Sequence, residues 1–368
     1  MKKYIYIALC LFIASSVNAA RHKQFNRAPG SLTHTVPVTI YAVDVTAAFS
    51  EVQDLNLATL GLTGHLIDPL LDLPDLIMRL PSSGVTIPMA DFPVRIDISP
   101  PAAVFPLTTE LQFEGVAMIT LDTINLIYTP ATRLRLFSAH DGGPFVDITE
   151  EVSEGSYRVR GSRGEFSEFM IVLDERDPAA IVSTKFSRLS ALLATHASAI
   201  DNAIHTILTG LVSSAQSHYT SSDIDSAKLD IGTFISTVSA ATPAQIPNVW
   251  RAAEDVTNVA GILNAAAGTL RFSLEDARDT DLDGVYDFED NCLAINNPSQ
   301  CNTDSDAFGN HCDADLNGDN IVNSFDLSAL RKAFGQSGEL DADLNCDGIV
   351  NSFDLSIMRS GFGLPPGP

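Results

Sequence analysis

The sequence predicts a multidomain α+β protein: an N-terminal antiparallel β-sandwich, a central helical segment and a C-terminal helical module built on short acidic loops. Three observations carry that expectation. Across residues 36–175, short runs of apolar and polar residues alternate between turn signals, the period of half-buried strands. Between residues 178 and 274 the apolar spacing changes to steps of three and four, the period of an amphipathic helix. From Asp279 onward an acidic or amide side chain recurs at every second position, in four successive stretches.

The chain opens on a predicted secretion signal over residues 1–19. Lys2 and Lys3 give it a basic start, Ile5 to Ile13 an apolar run too short to span a bilayer, and Val17-Asn18-Ala19 a small-residue cleavage site. Cys10 leaves with the signal, because Leu9 stands where a lipoprotein anchor needs a small residue. Residues 20–35 are polar and read as a flexible leader. No other stretch is long and apolar enough to serve as a transmembrane anchor, so the expected location is secreted, extracellular or at the cell surface.

In the predicted sandwich, 36–175, Val36, Val38, Ile40 and Ala42 alternate, as do Val94, Ile96 and Ile98 around Arg95 and Asp97. Further strand-like runs are Leu111–Leu121, Ile124–Tyr128, Leu134–Phe137, Tyr157–Val159 and Phe166–Leu173, with breaks at Pro100-Pro101, Asp141 to Gly143 and Gly161 to Gly164. Some seven to nine strands follow. The phrase LRLFSAHDGGPFVDIT and the later EFSEF resemble the closing hairpins of β-sandwich modules on bacterial surface proteins, a resemblance that implies no activity.

In the helical segment, 178–274, Phe186, Leu189, Leu193, Ile200, Ile204, Ile207 and Leu211 define one apolar face and one long helix. A second helix starts at Ser222 with Asp225 three residues on, carries Ala227, Ile231, Phe234 and Val238, and ends at Pro243 and Pro247. A third runs from Val249, through Trp250, to about Leu270. Three such helices make a small antiparallel bundle, or a hairpin laid on the sandwich.

The four acidic stretches share a ligand geometry. Oxygen side chains at loop positions 1, 3, 5, 9 and 12, with a backbone carbonyl at 7, suit calcium, because the odd positions of a tightly turning loop point inward. The sets are Asp279, Asp281, Asp283, Val285 (carbonyl), Asp287 and Asp290; Asn302, Asp304, Asp306, Phe308 (carbonyl), Asn310 and Asp313; Asp315, Asn317, Asp319, Ile321 (carbonyl), Asn323 and Asp326; Asp343, Asn345, Asp347, Ile349 (carbonyl), Asn351 and Asp354. Gly284 and Gly348 occupy position 6, whereas Ala307 and Asn320 replace glycine there and Asn302 removes a charge, so the second and third loops are predicted to be weaker. Asp315 to Gly335 matches Asp343 to Gly363 at 15 of 21 positions, an internal repeat. The competing reading is a disordered acidic tail.

The duplicated DLNGDNIVNSFDLSALRKAFG and DLNCDGIVNSFDLSIMRSGFG resemble the type I dockerin module, an EF-hand-like pair in which each calcium loop leads into a helix, here 314–363 with a tail at 364–368. The upstream DTDLDGVYDFEDNC and NTDSDAFGNHCD, 279–313, resemble thrombospondin type 3 repeats. These resemblances imply calcium as cofactor and a cohesin-like or other surface protein as partner. By matching positions they place Ser324, Phe325, Ser352 and Phe353 on the partner-binding face. The opposing reading packs Phe325 and Phe353 against Phe334 and Phe362 as core. Four cysteines, Cys292, Cys301, Cys312 and Cys346, remain in an exported chain and allow three pairings. The thrombospondin resemblance implies Cys292 with Cys312, which leaves Cys301 for Cys346. Zinc is the other use of cysteines, but no CxxC spacing is present.

The net charge of −24 argues against nucleic acid. Residues 276–368 hold 18 acidic against 4 basic residues, so calcium binding and folding are expected to be coupled there. No HExxH, GxSxG, P-loop or GxGxxG pattern occurs. His196 and His205 fall within the predicted first helix, too far apart to share a metal. Glu151, Glu154, Glu165 and Glu168 are the candidates for a glycosidase carboxylate pair. The expected function is therefore a non-enzymatic calcium-binding protein of adhesion or extracellular assembly. The alternative is a dockerin-tethered subunit that degrades polysaccharide or binds a glycan, although one Trp and 7% aromatic residues are poor for sugar stacking.

Overall fold

The computed structural model describes residues 28–103, 109–153 and 156–367. The predicted signal with Cys10, the first part of the leader and Glu154 lie outside them. Among the described residues the chain forms β1 (Ala28–Val38), β2 (Tyr41–Gln53), α1 (Leu57–Leu60), β3 (Leu62–Leu66), α2 (Leu73–Arg79), β4 (Val85–Thr86), β5 (Val94–Ile98) and β6 (Gln112–Ile127). There follow β7 (Leu134–Ala139), β8 (Val146–Asp147), β9 (Thr149–Ser153), β10 (Ser156–Arg163), β11 (Glu168–Asp174), α3 (Pro178–Thr195), α4 (Asn202–Thr220) and α5 (Ile224–Ala241). The last elements are β12 (Val249–Arg251), α6 (Val259–Asp276), α7 (Ser324–Ala333) and α8 (Ser352–Gly361).

The strands make two antiparallel sheets. One has the order β1-β2-β6-β10-β9, with β12 also on β6; the other has β3-β5-β11-β7-β8, with β4 also on β11. Side chains that alternate along β2, β6 and β10 meet those of β5 and β11 in one core, with Val43, Phe113, Ile119, Val159, Phe169 and Ile171 fully buried. The other face of the second sheet is covered as well. There Phe137, Met170 and Val172 pack under Leu76 and Leu80, at α2 and its C-terminus. The architecture is the predicted multidomain α+β.

Several boundaries differ from expectation. Val36 to Ala42 is not one strand: the chain turns at Thr39 and Ile40, so Val36 and Val38 are buried while Ile40 is 81% exposed. Residues 28–35 of the expected leader belong to β1, which pairs with β2 along its length. Leu111–Leu121 and Ile124–Tyr128 fuse into the long β6, and Gly161 lies inside β10 because a Cβ there would meet the Ile148 carbonyl. Close backbone approach, not a turn, explains that glycine.

The helical segment has four long helices instead of three. The expected first helix breaks between His196 and Asp201, where a short 3₁₀ turn at Ala197–Ala199 and an extended Ile200 intervene. Asp201 then caps α4 by accepting from the Ala203 and Ile204 amides. The break rotates the buried face, so Leu208, Val212 and Ala215 are inside while Ile207 is half exposed. It also puts His196 at the end of α3 and His205 on α4. The second helix is capped by Asp223, not Ser222, and buries Ala227, Ile231, Phe234 and Val238 as predicted. Val249 begins a strand instead of a third helix. Trp250 therefore joins the sandwich core, stacked on Phe113 at 5.3 Å and edge-on to Phe166 at 5.1 Å.

Helix α6 joins the layers, since it packs on β6, β9 and β10 as well as on α3 and α5. At this junction Lys185 is buried, and its ammonium donates to Asp147 Oδ2, to Thr269 Oγ1 at 2.6 Å and to Ser273 Oγ at 2.8 Å. All three donors are thus used, the condition for burying a charge.

Candidate metal centre

The four acidic loops follow one another from Asp279 to Asp354. Three share a backbone pattern in which the position-1 carboxylate turns inward and collects amides. Asp279 accepts from Asp283 N (3.2 Å) and Gly284 N (3.0 Å). Asp315 accepts from Asp319 N (3.2 Å) and Asn320 N (2.6 Å). Asp343 accepts from Asp347 N (3.2 Å) and Gly348 N (2.8 Å). In the second loop Asn302 instead accepts from Ser305 N and donates to the Asp306 carbonyl. That is the loop without charge at position 1 and without glycine at 6.

Position 6 has positive φ at Gly284 (93°), Asn320 (64°) and Gly348 (90°). Position 4 does too in every loop, at Leu282 (61°), Ser305 (62°), Gly318 (70°) and Cys346 (52°). Sequence reading missed this second bend because glycine marks it once in four.

The loops fall into two kinds by what position 9 does. In the first two it clamps position 2: Asp287 accepts from Thr280 N at 2.7 Å and Asn310 from Thr303 N at 2.9 Å. The shared threonine was the available signal. In the last two, Asn323 and Asn351 cap the following helix and accept from the Phe325 and Phe353 amides, each at 2.8 Å. Asp326 and Asp354, at position 12, complete the capping boxes by accepting from the Asn323 and Asn351 amides, each at 2.7 Å. A carboxylate is thereby held at the positive end of each helix dipole.

A divalent cation fits these residues. Carboxylate oxygens of Asp279, Asp281 and Asp283 lie within 4.8 Å of one another, as do those of Asp304, Asp306 and Asp313. Burial, then the charges of Asp306, Asp304 and Asp315, push the Asp313 carboxyl up to about 6, and burial with Asp283 raises Asp281. In the last two loops the asparagines at 3 and 9 leave three carboxylates each, of which the position-5 ones, Asp319 and Asp347, are exposed and those at positions 1 and 12 are deeply placed. Asp315, Asp326, Asp343 and Asp354 are buried, and none forms an ion pair with a basic side chain among the described residues. Asp281 Oδ2 and Asp326 Oδ1 are buried without a hydrogen-bond donor. Buried anionic oxygens lacking protein donors are what a hard oxygen-seeking ion such as calcium satisfies. Val285, Phe308, Ile321 and Ile349 stand at the position that would supply the backbone carbonyl.

Two disulfides cross-link the region, Cys292–Cys312 (Cα separation 5.6 Å) and Cys301–Cys346 (6.5 Å), the pairs the resemblance implied. The second joins the upstream loops to the fourth, beside a hydrogen bond from Asn310 Nδ2 to the Asp343 carbonyl at 3.1 Å. The two helical halves are related by their 28-residue offset. Gly335 N donates to the Val350 carbonyl and Gly363 N to the Val322 carbonyl, both at 2.8 Å. Their core is Val322, Leu330, Leu344, Val350 and Met358, with Leu316, Leu327 and Leu355 at its edge. Phe325 and Phe353 are not in it. They are 71% and 68% exposed, and Phe334 and Phe362 are half exposed, so the reading of these rings as core fails. Leucine, valine and methionine already fill the small interior.

Of the candidate carboxylates elsewhere, Glu151 pairs with Arg160, Glu165 with Arg163 and Glu168 with Arg79. No helix among the described residues is long and apolar enough to cross a membrane.

Fold and loops thus define a two-part protein, a sandwich-and-helix unit followed by an acidic, disulfide-linked module of loop-helix repeats. The chain belongs to a family of unknown function, DUF6689, whose model matches residues 26–278. The dockerin type I domain model matches residues 313–361, which supports calcium binding by that module. No curated protein matches. Among solved structures, a type II cohesin-dockerin domain from Bacteroides cellolosolvens is 44% identical over 14% of this chain and 85% of its own, with a TM-score of 0.14.

Proposed function

We propose that this is an exported, non-catalytic calcium-binding protein of extracellular assembly or adhesion, which presents its DUF6689 unit through calcium-dependent docking of the C-terminal module to a cohesin-like surface protein. The observation that carries the reading is a pair of repeat-related, exposed phenylalanines set on loops whose buried carboxylates lack basic partners. Ser324-Phe325 and Ser352-Phe353 begin equivalent helices and offer two apolar anchors, the kind of side chain that dominates interface energies. The cation would be held by Asp315, Asn317, Asp319, Ile321, Asn323 and Asp326 in one half and by Asp343, Asn345, Asp347, Ile349, Asn351 and Asp354 in the other. Upstream, the position-2 clamp and the Cys292–Cys312 bridge support reading 279–313 as thrombospondin type 3-like calcium repeats.

The test is capture of surface or secreted proteins on immobilised protein, with and without calcium, followed by mass spectrometry. Calcium-dependent capture of a cohesin-type partner is expected. The double substitution Phe325→Ser with Phe353→Ser should keep calcium-dependent folding and lose capture. Loss of folding, or capture unchanged, would overturn the docking face.

A further inference from the structure

In the DUF6689 unit, away from the calcium loops, a cavity of about 230 Å³ lies between the end of β10 and helices α3 and α6. The small side chains of Ala265 and Ala266 leave this space, and Arg163, Arg188, Glu165 and His196 line it. Two arginines in one cavity stand out in a chain whose net charge is −24. The Arg163 side chain is only 7% exposed. One of its terminal nitrogens reaches Glu165 Oε1 at 3.3 Å, but its Nε is buried with no acceptor. Glu165 is itself shared, its other oxygen lying 3.7 Å from His140 Nε2. Arg188, on α3, has no ion pair or hydrogen bond from its side chain among the described residues; Glu165 and Asp147 act on it only at longer range. Asp147 is engaged by Lys185. Burial, and then the neighbouring Arg163, push the Arg188 guanidinium down to about 10.

Asp147 also lines the cavity but is neutralised by Lys185, so two guanidiniums face one remaining carboxylate, Glu165, and the site carries a net positive charge. A buried donor without an acceptor and a crowded cation without a counterion both carry a cost that a bound anion removes. We propose that this cavity binds the oxyanion group, carboxylate or phosphate, of a small ligand received by Arg163 and Arg188. The planar donor fork of arginine matches such groups two bonds at a time. The volume is below the roughly 300–1,000 Å³ of drug-sized sites, so the ligand is compact, of about the size of a hexuronate or smaller. The inference is independent of calcium and of docking.

The experiment uses the full secreted chain with calcium present. Thermal stability and titration calorimetry are followed with glucuronate, acetate and inorganic phosphate, and with glucose as the uncharged control. At least one oxyanion should bind and raise Tm while glucose does nothing. A preference for glucuronate or acetate identifies a carboxylate ligand, and one for phosphate a phosphorylated ligand. Arg188→Gln should weaken that binding by about tenfold or more without lowering the unliganded Tm, because it removes an uncompensated charge. Ala265→Leu, which fills the cavity and leaves its charges, should also abolish binding. The proposal is overturned if no oxyanion binds at about 10 mM, if glucose shifts Tm equally, or if binding survives both substitutions.

Discussion

At the level of single residues, the most consequential group outside the loops is Lys185 with Asp147. Burial alone pushes the Asp147 carboxyl up, but the Lys185 ammonium and the Thr149 hydrogen bonds outweigh it and hold the group below the usual carboxylate range. A depressed carboxylate stabilises the fold at pH above its unfolded value of 3.8, and that contribution is lost as pH falls from there through the folded value. The destabilisation caused by Asp147→Asn, measured by urea unfolding, should therefore be full at neutral pH and shrink below 3.8. Lys185→Met removes one partner and leaves a buried anion, which should cost about 3–5 kcal/mol in the same assay. Nothing in the sequence set Lys185 apart from the other bases. Its role depends on Asp147, Thr269 and Ser273 arriving from distant points of the chain.

Among the elements, the acidic loops were the most legible and still held a surprise at position 4. Leu282 is 67% exposed at φ 61°, a conformation that costs a branched side chain about 1–2 kcal/mol. Leu282→Gly should relieve more than the added chain entropy takes back, for a net gain of about 0.5–1 kcal/mol, read as tighter calcium binding by calorimetry. The converse holds at position 6, where Gly348→Ala imposes that strain at φ 90° and should weaken the fourth loop. The helices were less legible. The apolar period ran through His196 to Asp201 without interruption, whereas the chain breaks there because Asp201 caps a new helix. An Asp followed by Asn at 201–202 was the local signal, and periodicity concealed it.

For the molecule as a whole, the two parts hold together differently. The DUF6689 unit has extended apolar cores of its own, while the C-terminal module has a small one and a surplus of negative charge. Chelation should therefore unfold the module and leave the near-ultraviolet signal of Trp250 in place, so that two thermal transitions appear where calcium holds them closer together. The Cys301–Cys346 bridge encloses a 45-residue separation, worth about 4 kcal/mol on the chain-entropy account. Replacing both cysteines by serine should raise the calcium concentration needed to fold the module, followed by circular dichroism. The parts also touch: Arg133 binds Glu289 at 2.8 and 2.7 Å, and the Tyr286 hydroxyl donates to Asp177 at 3.2 Å. The first loop is thereby anchored on the body of the protein.

By itself the sequence determined the order of β, helical and acidic-loop regions, the ligand period of the loops and their internal repeat. Each of these follows from local spacing, and a period of two, of three to four, or of alternate oxygens needs no distant partner to be read. Tertiary structure decided where the hairpin of β1 and β2 turns, that Trp250 leaves the helices to stack in the sandwich, and that Phe325 and Phe353 face outward. It alone brought Arg163 and Arg188 to one cavity. Those outcomes depend on which segments compete for the same interior, and an apolar or charged residue carries no local mark of which neighbour it will meet.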